Sequence, residues 1–99
     1  MREKIMITGK LSNGFKYSIN ERLFEDYKFM TQLFVVGEDP QNFLKFNQML
    51  ETLFGGAEQR DSFVESFMDE DGIVPIGRLA DGFQELLTDL KEKKKDLKN

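Results

Sequence analysis

The chain has 99 residues, 39% hydrophobic and 32% charged, which suits one folded domain with a modest core and is too apolar for a disordered tail. It contains no Cys and no His, so disulfides, thiolate chemistry, the usual zinc ligands and the commonest general base near neutral pH are all missing. The net charge of -4 is unevenly spread: seven acidic residues and Arg60 lie between Glu51 and Gly72, and five Lys stand against Glu92 and Asp96 from Lys91 to Asn99.

Residues 1–4 lead into an alternating strand pattern and carry no apolar signal-peptide core, so a cytosolic location is expected. Ile5, Ile7, Gly9 and Leu11 alternate with Met6, Thr8 and Lys10, and Phe15, Tyr17 and Ile19 alternate with Lys16, Ser18 and Asn20. A two-residue Asn13-Gly14 turn would pair Leu11 with Lys16 and split the apolar rows between two faces. A three-residue loop, Ser12-Asn13-Gly14, pairs Leu11 with Phe15, Gly9 with Tyr17 and Ile7 with Ile19. The second register puts the alternating apolar residues on one face and is the one expected. Gly14 then takes a left-handed conformation.

Asn20 is positioned to cap a first helix in which Leu23, Tyr27, Met30 and Phe34 recur at helical spacing, flanked by Phe24, Phe29 and Leu33, with Gly37 as its stop. Asp39 and Pro40 predict the cap and first residue of a second helix. Its stripe is Phe43, Phe46, Leu50 and Leu53, with Met49 and Phe54 beside it, and Gly55-Gly56 ends it. A third helix is predicted from Ala57 to Met68, with Phe63, Val64, Phe67 and Met68 inward. After Asp69-Glu70-Asp71-Gly72 and the extended pair Ile73-Val74, Pro75 opens a last helix. Its apolar face is Ile76, Leu79, Ala80, Phe83, Leu86, Leu87 and Leu90, and Gly82 within it marks a place for close packing. The lysine-rich end beyond Leu90 is expected to fray. The fold class is therefore mainly α (α+β), an N-terminal β-hairpin packed on a bundle of about four helices. It forms a single domain over 1–99, with the hairpin at 1–20, the helical body at 21–90 and a charged tail at 91–99.

No catalytic signature is present. Gly55-Gly56 lacks the Gly-Lys-Ser/Thr ending of a phosphate loop, no Gly-x-Ser-x-Gly elbow occurs, and no Ser-His-Asp triad can form without His. With Gly72 at position six of a calcium loop, Phe67 would occupy position one and Arg78 position twelve, so the acidic run is no EF-hand. No enzyme activity, cofactor or metal is expected. The acidic body argues against nucleic-acid binding, and no apolar run is long enough to span a membrane. Asp69, Glu70 and Asp71 stand at a helix end where acids oppose the dipole, which makes them candidate partner contacts; a solvated turn is the competing reading. Ten Phe in so short a chain point to either a Phe-rich core or a self-association or partner surface.

Three features combine: the opening Ile5-Met6-Ile7-Thr8-Gly9-Lys10-Leu11-Ser12-Asn13-Gly14-Phe15, the run Asp69-Glu70-Asp71-Gly72-Ile73-Val74-Pro75-Ile76, and the helix from Leu79 to Leu90 ending in a charged tail. In this order they resemble the small tail assembly chaperones encoded by long-tailed phages and prophages of Gram-positive bacteria. The resemblance implies a protein of the bacterial host cytoplasm that binds the tape measure protein and keeps it soluble while tail tube subunits assemble around it. It implies no catalytic residues and no cofactor. Members of that family are often made in two forms by ribosomal frameshifting, and Lys93-Lys94-Lys95 could be encoded by an A-rich slippery stretch; an ordinary charged helix end is the other reading. Such a chaperone needs exposed apolar surface, for which Phe24, Phe29, Phe54 and Phe63 at the edges of their stripes are the candidates. Five Met suit adaptable binding. The acidic middle and basic tail could meet head to tail between copies in a homo-oligomer, or form two solvated faces, the commoner arrangement. Two further readings are a small acidic phage or prophage inhibitor of a host protein and a structural tail or connector subunit.

Overall fold

Five residue pairs from Met6↔Asn20 to Lys10↔Lys16 join strand β1 (Met6–Lys10) antiparallel to β2 (Lys16–Asn20) in the computed structural model. The structure describes residues 5–97, with side chains through residue 93; the expectations placed on residues 1–4 and 98–99 lie outside the described residues, and those on the side chains of Lys94 and Lys95 lie outside the described side chains. The register is the expected one, with Ile7 opposite Ile19 and Gly9 opposite Tyr17. The Leu11 N–H donates to the Phe15 carbonyl at 2.8 Å, closing the three-residue loop, and Gly14 has φ +95°. Ile7, Leu11, Tyr17 and Ile19 are all buried, while Lys10, Lys16, Thr8 and Ser18 face outward. The apolar row chose the register because any slip would have exposed it.

Asn20 does cap, but the element it starts is a short 3-10 turn, Glu21–Glu25. Its side chain accepts from the Arg22 N–H. The first α-helix, α1 (Tyr27–Glu38), begins later, where Asp26 accepts from the Phe29 N–H at 3.2 Å. Gly37 lies inside α1 and does not stop it. Asp39 and Pro40 do not start the second helix either. They occupy the first two positions of a turn closed by the Asn42 N–H on the Asp39 carbonyl, a placement that suits Pro as well as a helix start does. Asn42 is the cap of α2 (Phe43–Phe54), accepting from the Lys45 N–H.

Gly55, at φ +78°, ends α2. The N–H groups of Gly56 and Gly55 donate to the Glu51 and Thr52 carbonyls, the paired bonds of a Schellman stop. Helix α3 (Ala57–Glu65) is three residues shorter than the expected Ala57–Met68. The Ser66 hydroxyl donates to the Phe63 carbonyl, and Phe67 and Met68 donate three residues back, so the last turn tightens. Phe67 then turns inward and Met68 outward, contrary to the expectation for Met68. Helix α4 (Ile76–Leu97) runs past Leu90, through the stretch expected to fray.

The core centres on Phe side chains from three elements. Phe63 of α3 stacks at 5.0 Å on Phe54 of α2 and meets Phe15 and Phe67 edge-on at 5.4 and 5.2 Å. Phe29, Met49, Leu50, Leu86 and Leu90 complete it, all fully buried. An N-terminal hairpin on four α-helices is the α+β fold that the sequence predicts.

Candidate functional site

Helix α1 carries two apolar rows, and only one is buried. At 100° per residue, Phe29, Leu33 and Val36 share one face, and Tyr27, Met30 and Phe34 share another. The first row packs inward on α2. The second, which the sequence reading had placed at the centre of the buried stripe, faces out: Tyr27 is 85% exposed, Phe34 68% and Met30 41%. Beside this ridge the chain leaves an apolar groove of about 590 Å³. Met30, Leu33, Val36 and Gly37 of α1 form one wall, with Phe24 and Pro40 at its ends. Ile76, Leu79, Ala80, Phe83 and Leu87 of α4 form the other, and Phe43 and Phe46 of α2 lie between them. The floor is fixed by Phe46 and Phe83, edge to face at 5.2 Å. Met30, Phe43 and Ile76 stand exposed along its rim. Asp81, Gln84 and Lys91 are the polar lining, and all three lie on α4.

The groove exists because α4 is held from its other side. Along one edge of α4, Glu85, Asp89 and Lys93 recur every four residues and grip the hairpin. The Glu85 carboxylate accepts from both the N–H and the hydroxyl of Ser12 at 2.7 Å. The Tyr17 hydroxyl donates to the Asp89 carboxylate. Lys93 donates to the Thr8 carbonyl at 2.7 Å, pairs with Asp89 at 3.5 Å and lies over the Tyr17 ring. This last clamp explains why the helix continues past Leu90. Burial pushes the Tyr17 phenol pKa up, and its bond to Asp89 and that residue's negative charge push it further.

The seven predicted site residues divide. Phe24 is half-buried at the groove, edge-to-face with Phe29. Phe29, Phe54 and Phe63 are core residues and present no surface, because their stripes are the ones that meet the hairpin and each other. Asp69 organises its own turn, accepting at Oδ1 from the Asp71 and Ile73 N–H groups. Glu70 and Asp71 project into solvent. The acidic turn and the groove share no residue. Sequence reasoning missed Phe34 and Phe43 as surface residues. The signal was the surplus of apolar residues in α1, seven among twelve, more than one buried face requires.

Among the described residues, no group of three or more Asp or Glu side chains is placed to hold a metal ion. No described helix is long and apolar enough to cross a membrane. No protein family, curated protein or solved structure matches the chain.

Proposed function

We propose that the chain is a protein-binding chaperone that shelters an apolar client segment in the groove between α1, α2 and α4, and that it catalyses no reaction. The observation that carries this reading is the groove itself, with Met30, Phe43 and Ile76 exposed on its rim. A continuous exposed apolar surface is unfavourable in water unless something covers it, and on small proteins it marks an interaction site. Met at the rim adapts to varied side chains, while the rigid Phe46–Phe83 floor keeps the groove open.

The resemblance in the hairpin, the acidic turn and the last helix supplies the client. We assign it as the tape measure protein of a long-tailed phage, held in solution in the bacterial host cytoplasm while tail tube subunits assemble. The charge of -4 favours dispersal of the loaded complex.

Light scattering of the tape measure protein, with and without stoichiometric chain, tests this at low and high salt. Wild type is expected to suppress aggregation at both, because apolar contacts survive screening. Phe43→Ser is expected to weaken client binding about tenfold, since it removes roughly 1.4 kcal/mol of rim contact. Unsuppressed aggregation would sink the reading. Suppression that disappears in salt would transfer the function to the acidic face and favour an inhibitor-like mode.

A further inference from the structure

Asn13-Gly14, in the loop between β1 and β2, is the dipeptide in which asparagine loses its side-chain amide most readily. Glycine has no Cβ to shield the backbone nitrogen that attacks. The reaction needs only water. The Gly14 nitrogen gives up its proton to solvent and attacks the Asn13 Cγ, and the tetrahedral centre expels the side-chain nitrogen as ammonia. Water then opens the five-membered imide at one of its two carbonyls. Breaking the new Cγ–N bond leaves aspartate. Breaking the old peptide bond leaves isoaspartate, with the side-chain methylene now in the main chain.

The folded loop holds each of the reacting groups. The Asn13 Nδ2 donates to the Ser66 carbonyl at 3.2 Å and to the Ser66 hydroxyl oxygen at 2.9 Å. Its Oδ1 accepts from the Phe15 N–H at 3.0 Å. These partners fix which end of the amide is nitrogen, because a carbonyl only accepts and an N–H only donates. The attacking Gly14 N–H donates to the Leu11 carbonyl at 2.9 Å. Ser66 follows the last residue of α3 and is itself held, its hydroxyl on the Phe63 carbonyl. Ser12, on the other side of Asn13, is held by Glu85 of α4. Asn13 and Gly14 are both exposed, so water reaches them. What the fold denies is freedom: Cγ meets the Gly14 nitrogen only after the loop leaves α3.

The product does not fit the same seat. A carboxylate has no proton to donate. An aspartate at this position would set an anionic oxygen against the Ser66 carbonyl, and the Ser66 hydroxyl would turn to it only by releasing Phe63. Isoaspartate lengthens the main chain of a three-residue loop whose ends, Leu11 and Phe15, are already joined by a hydrogen bond.

We infer that Asn13 is a deamidation site gated by the docking of the hairpin loop on the end of α3. It reacts from the opened loop, and its product does not reseat, so each opening that is captured becomes permanent. Asn13, Gly14 and Ser66 do not line the groove, and this switch stands apart from the client reading.

The test holds the full chain at mildly alkaline pH, folded or unfolded in guanidinium chloride, and follows the tryptic peptide Leu11–Lys16 by mass spectrometry. Conversion of the amide to a carboxylate adds one mass unit, and the isoaspartate form elutes separately. The unfolded chain is expected to react at least about tenfold faster than the folded one, since reaction from an open state scales with its population. Ser66→Ala, which removes one of the two acceptors of Nδ2, should speed the folded chain severalfold and leave the unfolded rate unchanged. Asn13→Asp, which installs the first product, should lower the urea midpoint and speed exchange of the Gly14 amide. Equal rates in folded and unfolded wild type, or no reaction in either, would overturn the inference. So would a Ser66→Ala rate equal to wild type in the folded chain or different from it in the unfolded one. An Asn13→Asp chain with wild-type stability and Gly14 exchange would show that the product reseats, and would overturn it as well.

Discussion

Tyr17 and Gly82 show how single residues set the position of α4. Tyr17 crosses above Gly9 on the paired strand, where a Cβ would overlap the Tyr17 hydroxyl and the Lys93 ammonium. Its hydroxyl bonds Asp89. Tyr17→Phe should cost about 1.5–3 kcal/mol, the range for a hydrogen bond to a charged group, measurable by urea denaturation. The pH dependence has a definite sign. Burial and Asp89 raise the folded-state pKa of Tyr17 above the unfolded value of about 10. The contribution is fully present below about pH 10 and declines as pH rises above it, because the unfolded chain loses the proton first. Tyr17→Phe should lack that part of the alkaline slope, and identical slopes in the two proteins would contradict the Tyr17–Asp89 bond. Gly82 is buried, and a Cβ there would overlap the ring of Phe67. Gly82→Ala gains about 1 kcal/mol of helix propensity but must displace a packed ring, an overpacking cost of about 1–3 kcal/mol. A net loss of stability is expected. Gly77→Ala, with open space around its Cβ position, should instead stabilise by about 0.5 kcal/mol.

At the level of elements, the hairpin's register was legible, although Ile5 at its start is 48% exposed, and the helices were only partly so. One buried face fixed the hairpin's register, and an alternating sequence carries that information locally. Helix starts were harder to read because the chain offers several good caps. Asn20, Asp26, Asp39 and Asn42 all have capping chemistry, and the 3-10 turn and the Asp39-Pro40 turn each took one of them. The choice of face on α1 was not legible at all. Both apolar rows have helical spacing, and which row is buried depends on where α2 and the hairpin lie. The clamp between hairpin and α4 was invisible for a similar reason: Ser12 and Glu85 lie 73 residues apart and have no local signature. It can be tested directly. Glu85→Ala leaves the Ser12 N–H without its acceptor, and should cost about 1–2 kcal/mol and speed exchange of the Ser12 amide. Exchange unchanged at Ser12 would mean that the hairpin does not depend on α4 for its seat.

Across the whole molecule, seven of the ten Phe lie at the extremes of burial, and Phe15, Phe24 and Phe46 are half-buried. Phe29, Phe54, Phe63, Phe67 and Phe83 are buried, whereas Phe34 and Phe43 are 68% and 53% exposed. Truncating a buried Phe removes its burial and leaves a cavity, about 3–5 kcal/mol. A domain of this size has about 5–15 kcal/mol in total, so Phe63→Ala should remove a large share of its stability. Phe34→Ala and Phe43→Ala remove contacts mostly with water and should change stability by about 0.5 kcal/mol or less. Client binding should show the opposite order. Phe43→Ala should weaken it severalfold at intact stability, whereas loss of binding in Phe63→Ala should follow the unfolded fraction and return where the variant is folded, at lower temperature or with stabilising osmolyte. Urea midpoints for the three variants, set beside their client affinities under folding conditions, separate the two roles. A Phe43→Ala chain that bound client at full strength would remove the groove rim from the function, and a Phe34→Ala chain as unstable as Phe63→Ala would show that the outer row of α1 is buried after all.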